Sequence, residues 1–111
     1  MTDSPPHDDV PDRHRARLVA LDMAVLHGPG VVPAEVRQAA AGSVEVPDGF
    51  ETYVDTIHRH AYRVTDEMVG DLVARTDDDR VFEISVAAAY GAARDRLDAG
   101  LHALHAARGD A

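Results

Sequence analysis

The order of apolar and polar positions along the chain reads as helix nearly throughout. From Asp12 onward, Leu18, Leu21 and Val25, flanked by Val19, Met23 and Leu26, recur at three- and four-residue steps, the spacing that aligns one helix face. Gly28-Pro29-Gly30 ends that run after His27, because glycine takes a left-handed C-cap and proline cannot extend the ladder. A short second helix is predicted over Pro33 to Ala41, with Pro33 in its first turn, Val36, Ala39 and Ala40 on one side, and Gly42 as the stop. Pro47-Asp48 opens a third helix with Asp48 as N-cap and a stripe of Phe50, Tyr53, Val54, Ile57, Ala61 and Val64. Thr65 is expected to cap a fourth, where Asp66 and Glu67 suit the positive helix end and Met68, Val69, Leu72 and Val73 run on to Thr76.

The last run is the longest, from near Asp79 to Arg108, with Phe82, Val86, Ala89, Ala93, Leu97, Leu101 and Leu104 at helical steps. Its middle, Val86 to Ala93, reads as small and apolar all round, which predicts burial on every side, with Gly91 permitting close backbone approach. No β alternation of useful length and no internal repeat interrupts this pattern. The expected fold is all-α, a compact bundle of about five helices with a long buried C-terminal helix. Residues 12–108 form a single all-helical domain in this reading. Residues 1–11, with three prolines and three aspartates, read as a flexible tail.

Composition narrows the classes. With 111 residues, 45% apolar and 28% charged, the chain makes one domain, neither membrane-embedded nor disordered throughout. Alanine and valine dominate the apolar content, with three Tyr, two Phe and no Trp. Such a core buries little area, and burial is worth roughly 25 cal/mol per Å², so subunit association is expected to add stability. Arginine supplies all 11 basic residues against 20 acidic ones, a net charge of −9 that repels phosphate backbones and argues against a nucleic-acid partner. The Asp77-Asp78-Asp79 run reads as a solvated turn. Zero cysteines exclude disulfides, thiolate nucleophiles and Cys-ligated metals. Met1 to Asp12 lacks the apolar stretch of a signal peptide, and no run approaches the ~20 apolar residues of a membrane span, so a cytoplasmic protein without a membrane partner is expected.

Chemistry-bearing residues are few. In Ile57-His58-Arg59-His60-Ala61-Tyr62, His58 and Tyr62 fall on one helix face, while His60 shares the side of Tyr53, Ile57 and Val64. The two histidines point about 160° apart on a regular helix and do not chelate one metal. His60 is either a proton donor or acceptor in an apolar pocket or a helix histidine satisfied by a carbonyl or carboxylate. Glu83 reads as a dipole-stabilised residue in the first turn of the last helix, or as a pocket carboxylate. His102 and His105 stand three apart without a third ligand pattern, so no metal is assigned, and no cofactor motif is present.

Three stretches resemble the carboxymuconolactone decarboxylase and alkylhydroperoxidase-D-like group: Tyr53 to Glu67, Arg80 to Ala93 continuing through Arg96-Leu97-Asp98-Ala99-Gly100-Leu101, and the Leu26 to Gly30 turn. The resemblance spans roughly residues 17–105. It implies an all-helical fold assembled as trimers or hexamers through the long helices. The peroxidase branch carries a CxxCxxxH motif; here those positions fall on Ala61, Val64 and Met68, which excludes thiol peroxidase chemistry. The resemblance leaves a decarboxylase-type role open, with His58, His60, Tyr62 and Glu83 as acid–base candidates, although no motif carries over residue by residue. Two functions follow: an oligomeric binding or accessory subunit, or a cofactor-free lyase, decarboxylase or isomerase. In the second, Arg59 or Arg63 holds the carboxylate of a small organic acid or lactone while His60 moves the proton.

Overall fold

The computed structural model describes residues 12–109, which contain five α-helices and two tighter or wider helical turns joined by short connections. No strand occurs among the described residues. The expected tail, 1–11, lies outside them. Among the described residues no helix is long and apolar enough to cross a membrane.

Helix α1, Asp12–Asp22, runs into a π-helical turn, Met23–His27, rather than continuing regularly to His27. Gly28 ends it in an extended conformation (φ −73°, ψ 173°), not the left-handed cap that was expected. Glycine is needed there for closeness: a β-carbon would stand 2.8 Å from the Ala24 carbonyl oxygen. Helix α2, Ala34–Gly42, starts one residue later than predicted. The Pro33 carbonyl accepts the Val36 and Arg37 N–H groups at 3.0 and 3.2 Å. Its left-handed stop is Ser43 (φ 54°) rather than Gly42, and the Ser43 N–H bonds the Ala40 carbonyl at 3.2 Å.

Helix α3, Glu51–His60, is shorter at both ends than its apolar pattern implied. Asp48 does not cap it; Phe50 occupies that position, and the Glu51 carboxylate accepts the Gly49 N–H at 2.8 Å. The His60 backbone (φ −149°, ψ 65°) leaves the helical region, and a 3₁₀ turn, Ala61–Arg63, follows. Ala61 thereby drops out of the buried stripe. Helix α4, Asp66–Arg75, carries the expected cap, with Thr65 Oγ1 accepting the Met68 N–H at 3.2 Å. Helix α5 spans Asp78–Ala107. Asp77 is its N-cap, accepting the Arg80 N–H at 2.8 Å, so the three aspartates open the helix instead of forming a free turn.

The core joins Val32, Ala40, Phe50, Tyr53, Val54, Ile57 and Leu72 to Val81, Ile84, Ala87 and Ala88 of α5. Helices α2 and α3 pack on that inner face of α5. A polar thread crosses it: Tyr53 OH donates to Ser85 Oγ at 2.5 Å, and Ser85 donates on to the Val81 carbonyl at 2.6 Å.

Burial of α5 on every side is not what the single chain provides. Val81, Ile84, Ala87, Ala88, Gly91 and Ala92 are buried, whereas Phe82 is 67% exposed and Val86, Ala89 and Ala93 on the opposite face are also open. The bundle covers one flank only, because α2, α3 and α4 all lie toward it. Beyond Ala92 the two faces diverge in character. The inner row continues as Asp95, Asp98 and His102, all exposed; the outer row continues as Leu97 and Leu104, apolar yet also exposed.

Candidate functional site

The acid–base candidates read from the sequence are held apart by separate partners. His58 Nε2 donates to the Ala40 carbonyl at 2.9 Å, tying α3 to α2, and the His58 carbonyl accepts from Arg96 Nη2 at 2.8 Å. Its ring is thus a crosslink between helices. His60 is exposed at the end of α3, where its ring meets Tyr62 edge-on at 5.8 Å. Tyr62 is 79% exposed, with the Arg63 guanidinium 5.7 Å from its ring centre. The break after His60 rotates Tyr62 away from His58, so the shared face expected from an unbroken helix is lost. Arg59 pairs with Asp55 at 2.8 Å, one turn away on the surface.

Glu83 stands in the second turn of α5 and does not serve its N-terminal dipole. Its two carboxylate oxygens accept the N–H groups of Val32 at 2.8 Å and Val31 at 2.9 Å. Those bonds, the Val32 one foremost, hold its pKa below the ordinary carboxylate value, aided by the charges of Arg37 and Arg80. The same loop is gripped from its other side by Arg37, 5% exposed. Its Nε donates to the Val32 carbonyl at 3.1 Å, Nη1 to the Val25 carbonyl at 2.8 Å, and Nη2 to the Gly28 carbonyl. Arg37 was not singled out from the sequence. A lone arginine between Val36 and the alanines of a short helix was the available signal.

A cavity of about 300 Å³ lies elsewhere, between the π-helical turn, the C-terminal end of α2 and the middle of α5. Asp22, Leu26 and His27 line it from the first side, Ala41 and Gly42 from the second, and Tyr90, Gly91, Arg94 and Asp95 from the third. None of the six candidates above lines it. Tyr90 OH donates to Asp22 Oδ1, and Arg94 Nη1 bridges both Asp22 oxygens at 3.0 and 3.2 Å. Burial and the hydrogen bond to Asp22 push the Tyr90 phenol above its ordinary pKa, which keeps it a donor. The contact with Tyr90, followed by the Asp22 charge, raises the already high pKa of Arg94.

At the rim, Gln38 Nε2 donates to the Leu26 carbonyl at 3.2 Å and approaches His27 Nδ1 at 3.1 Å. A nitrogen facing an amide donor acts as acceptor, which assigns the His27 proton to Nε2. One trace of this site is visible along the chain: Tyr90 and Arg94 stand one turn apart as the large polar residues in an alanine-rich stretch. Asp22, 68 positions before Tyr90, carried none. Among the described residues no group of three or more His, Asp or Glu side chains is placed to hold a metal ion.

No family model matches this chain, and neither a curated protein nor a solved structure matches it.

Proposed function

We propose that this chain is a self-associating helical subunit with a binding or accessory role, a Cys-less member of the carboxymuconolactone decarboxylase and alkylhydroperoxidase-D-like group that assembles as a trimer or hexamer. One observation carries the reading: the outer row of α5 stays apolar after its inner row turns polar. Phe82, Val86, Ala89, Ala93, Leu97, Gly100 and Leu104 follow steps of four and three residues along some 33 Å of helix, on the side the bundle leaves open. A solvated helix end has no physical need for leucines at 97 and 104. A neighbouring helix meeting small residues at 89, 93 and 100 and larger ones between them would pack closely along this row.

The separate partners of His58 and Glu83, and the open setting of His60 and Tyr62, favour the binding role over proton transfer at a lactone acid. Light scattering of the full chain tests the assembly: three or six chain masses support it, and one chain mass at about 100 µM refutes it. Turnover of small lactones or organic acids by the wild type, lost in His60→Ala, would refute the non-catalytic part and favour the lyase reading.

A further inference from the structure

The open row of α5 is symmetrical in its spacing. From Phe82 to Leu104 its steps are 4, 3, 4, 4, 3 and 4 residues, the same read from either end, with Ala93 at the centre. One more step of four at each end reaches Asp78, the first residue of the helix, and Arg108, its C-cap. Both are exposed, and the Arg108 N–H bonds the Leu104 carbonyl at 3.1 Å, which keeps Arg108 at its helical place in the row. The spacing also repeats every 11 residues. At about 3.67 residues per turn, such a row runs almost straight along one side of the helix.

A second copy turned end for end about Ala93 is complementary at every level. Val86 stands level with Gly100 of the partner subunit, Leu97 with the partner's Ala89, and Ala93 with the partner's Ala93. Each larger side chain thus faces a small one, and the helices approach closely. Phe82 and the partner's Leu104 close the apolar strip at both ends. Beyond them Asp78 lies level with the partner's Arg108, and the positive end of each helix dipole lies beside the negative end of the other. Two copies running in the same direction are not complementary. Leucine then meets leucine at 97 and glycine meets glycine at 100, which leaves uneven gaps. Asp78 also meets the partner's Asp78, and Arg108 the partner's Arg108. Charges of this kind at the edge of a contact set direction and register more than strength. We infer that the partner on this row is a second copy of the chain, packed antiparallel across a two-fold axis at Ala93, with Asp78 and Arg108 pairing at both ends. The inference rests on the self-association proposed above and adds its direction. A two-fold contact has no place in a cyclic trimer, so of the two assemblies it selects the hexamer.

The chain has no cysteine, so a single introduced thiol reports the contact without background. Ala93→Cys, Phe82→Cys and Leu104→Cys each replace an exposed side chain. The full-length variants, checked for unchanged helical circular dichroism, are oxidised mildly and separated on a non-reducing gel. Ala93→Cys alone is expected to form a covalent dimer, because the two-fold axis brings its two Cα atoms within the ~4.4–6.8 Å that a disulfide spans. Phe82→Cys and Leu104→Cys are expected to cross-link about tenfold better when co-expressed than either does by itself. Self-cross-linking of either one as efficient as that of the co-expressed pair would overturn the antiparallel direction and leave self-association standing. So would the absence of any disulfide from variants that still assemble, or a wild-type mass of three chains by light scattering. A wild-type mass of one chain overturns both readings. A mass of two chains with the expected cross-links upholds the two-fold pair and overturns the trimer or hexamer.

Discussion

Gly91 of α5 lies so close to Ala41 of α2 that a β-carbon on Gly91 would stand 2.0 Å from the Ala41 carbonyl oxygen. This contact sets the crossing of the two helices and forms part of the wall of the cavity beside Tyr90 and Arg94. Backbone, rather than a flexible side chain, is what a methyl group would strike, so the helices must separate to admit one. Gly91→Ala is expected to destabilise the fold by about 1–3 kcal/mol, despite the better helix propensity of alanine. Urea denaturation followed by circular dichroism measures it, and a stabilised variant would contradict the close approach.

The loop from Gly28 to Val32 is held by one buried cation and one carboxylate. Arg37→Met leaves the carbonyls of Val25, Gly28 and Val32 without their donor, and a loss of about 3 kcal/mol or more is expected. The measurement is the denaturation midpoint against that of Gln38→Ala, an exposed neighbour whose loss should cost well under half as much.

Glu83 makes stability depend on acid. Its folded pKa lies below the unfolded one, so as pH falls the unfolded chain takes the proton first. Its contribution is therefore complete above the unfolded carboxylate value near 4.3 and fades as pH drops through the lower folded value. Thermal melts of wild type and Glu83→Gln should differ most at neutral pH and converge toward pH 3. A gap that widens in acid would contradict the two N–H contacts.

His58 and His60 should behave oppositely to a catalytic pair. His58→Ala removes the bond to the Ala40 carbonyl and is expected to cost about 1 kcal/mol, whereas His60→Ala, exposed beyond the end of α3, should lie within about 0.5 kcal/mol of wild type. Chemical denaturation of the two variants decides it.

What the sequence disclosed follows from the range of the forces involved. The Thr65 cap and the five helical runs are set by neighbours within a turn or two, and were legible. The break after His60 was not, because Ala61 and Val64 continue the apolar spacing of α3 across it. Glu83 reaches Val31 and Val32 across 52 and 51 positions, and Asp22 meets Tyr90 across 68. Neither pairing leaves a periodic mark, so the cavity came only with the fold. The row that the sequence spacing picks out along α5, from Phe82 to Leu104, lies on the open side; the buried row is Val81, Ile84, Ala87 and Ala88, because α2, α3 and α4 lie toward that flank.

The C-terminal third of α5 offers the most direct test of subunit packing. Residues 95–100 are exposed throughout, and only Leu101 and His105 are half-buried before the helix ends at Ala107. A helical segment shorter than ~12–15 residues is marginal in water without tertiary support. Amide hydrogen exchange over residues 95–107 should therefore be slow at high protein concentration and accelerate on dilution, as neighbours along Leu97, Gly100 and Leu104 are lost. Fast, concentration-independent exchange over that segment would contradict the assembly.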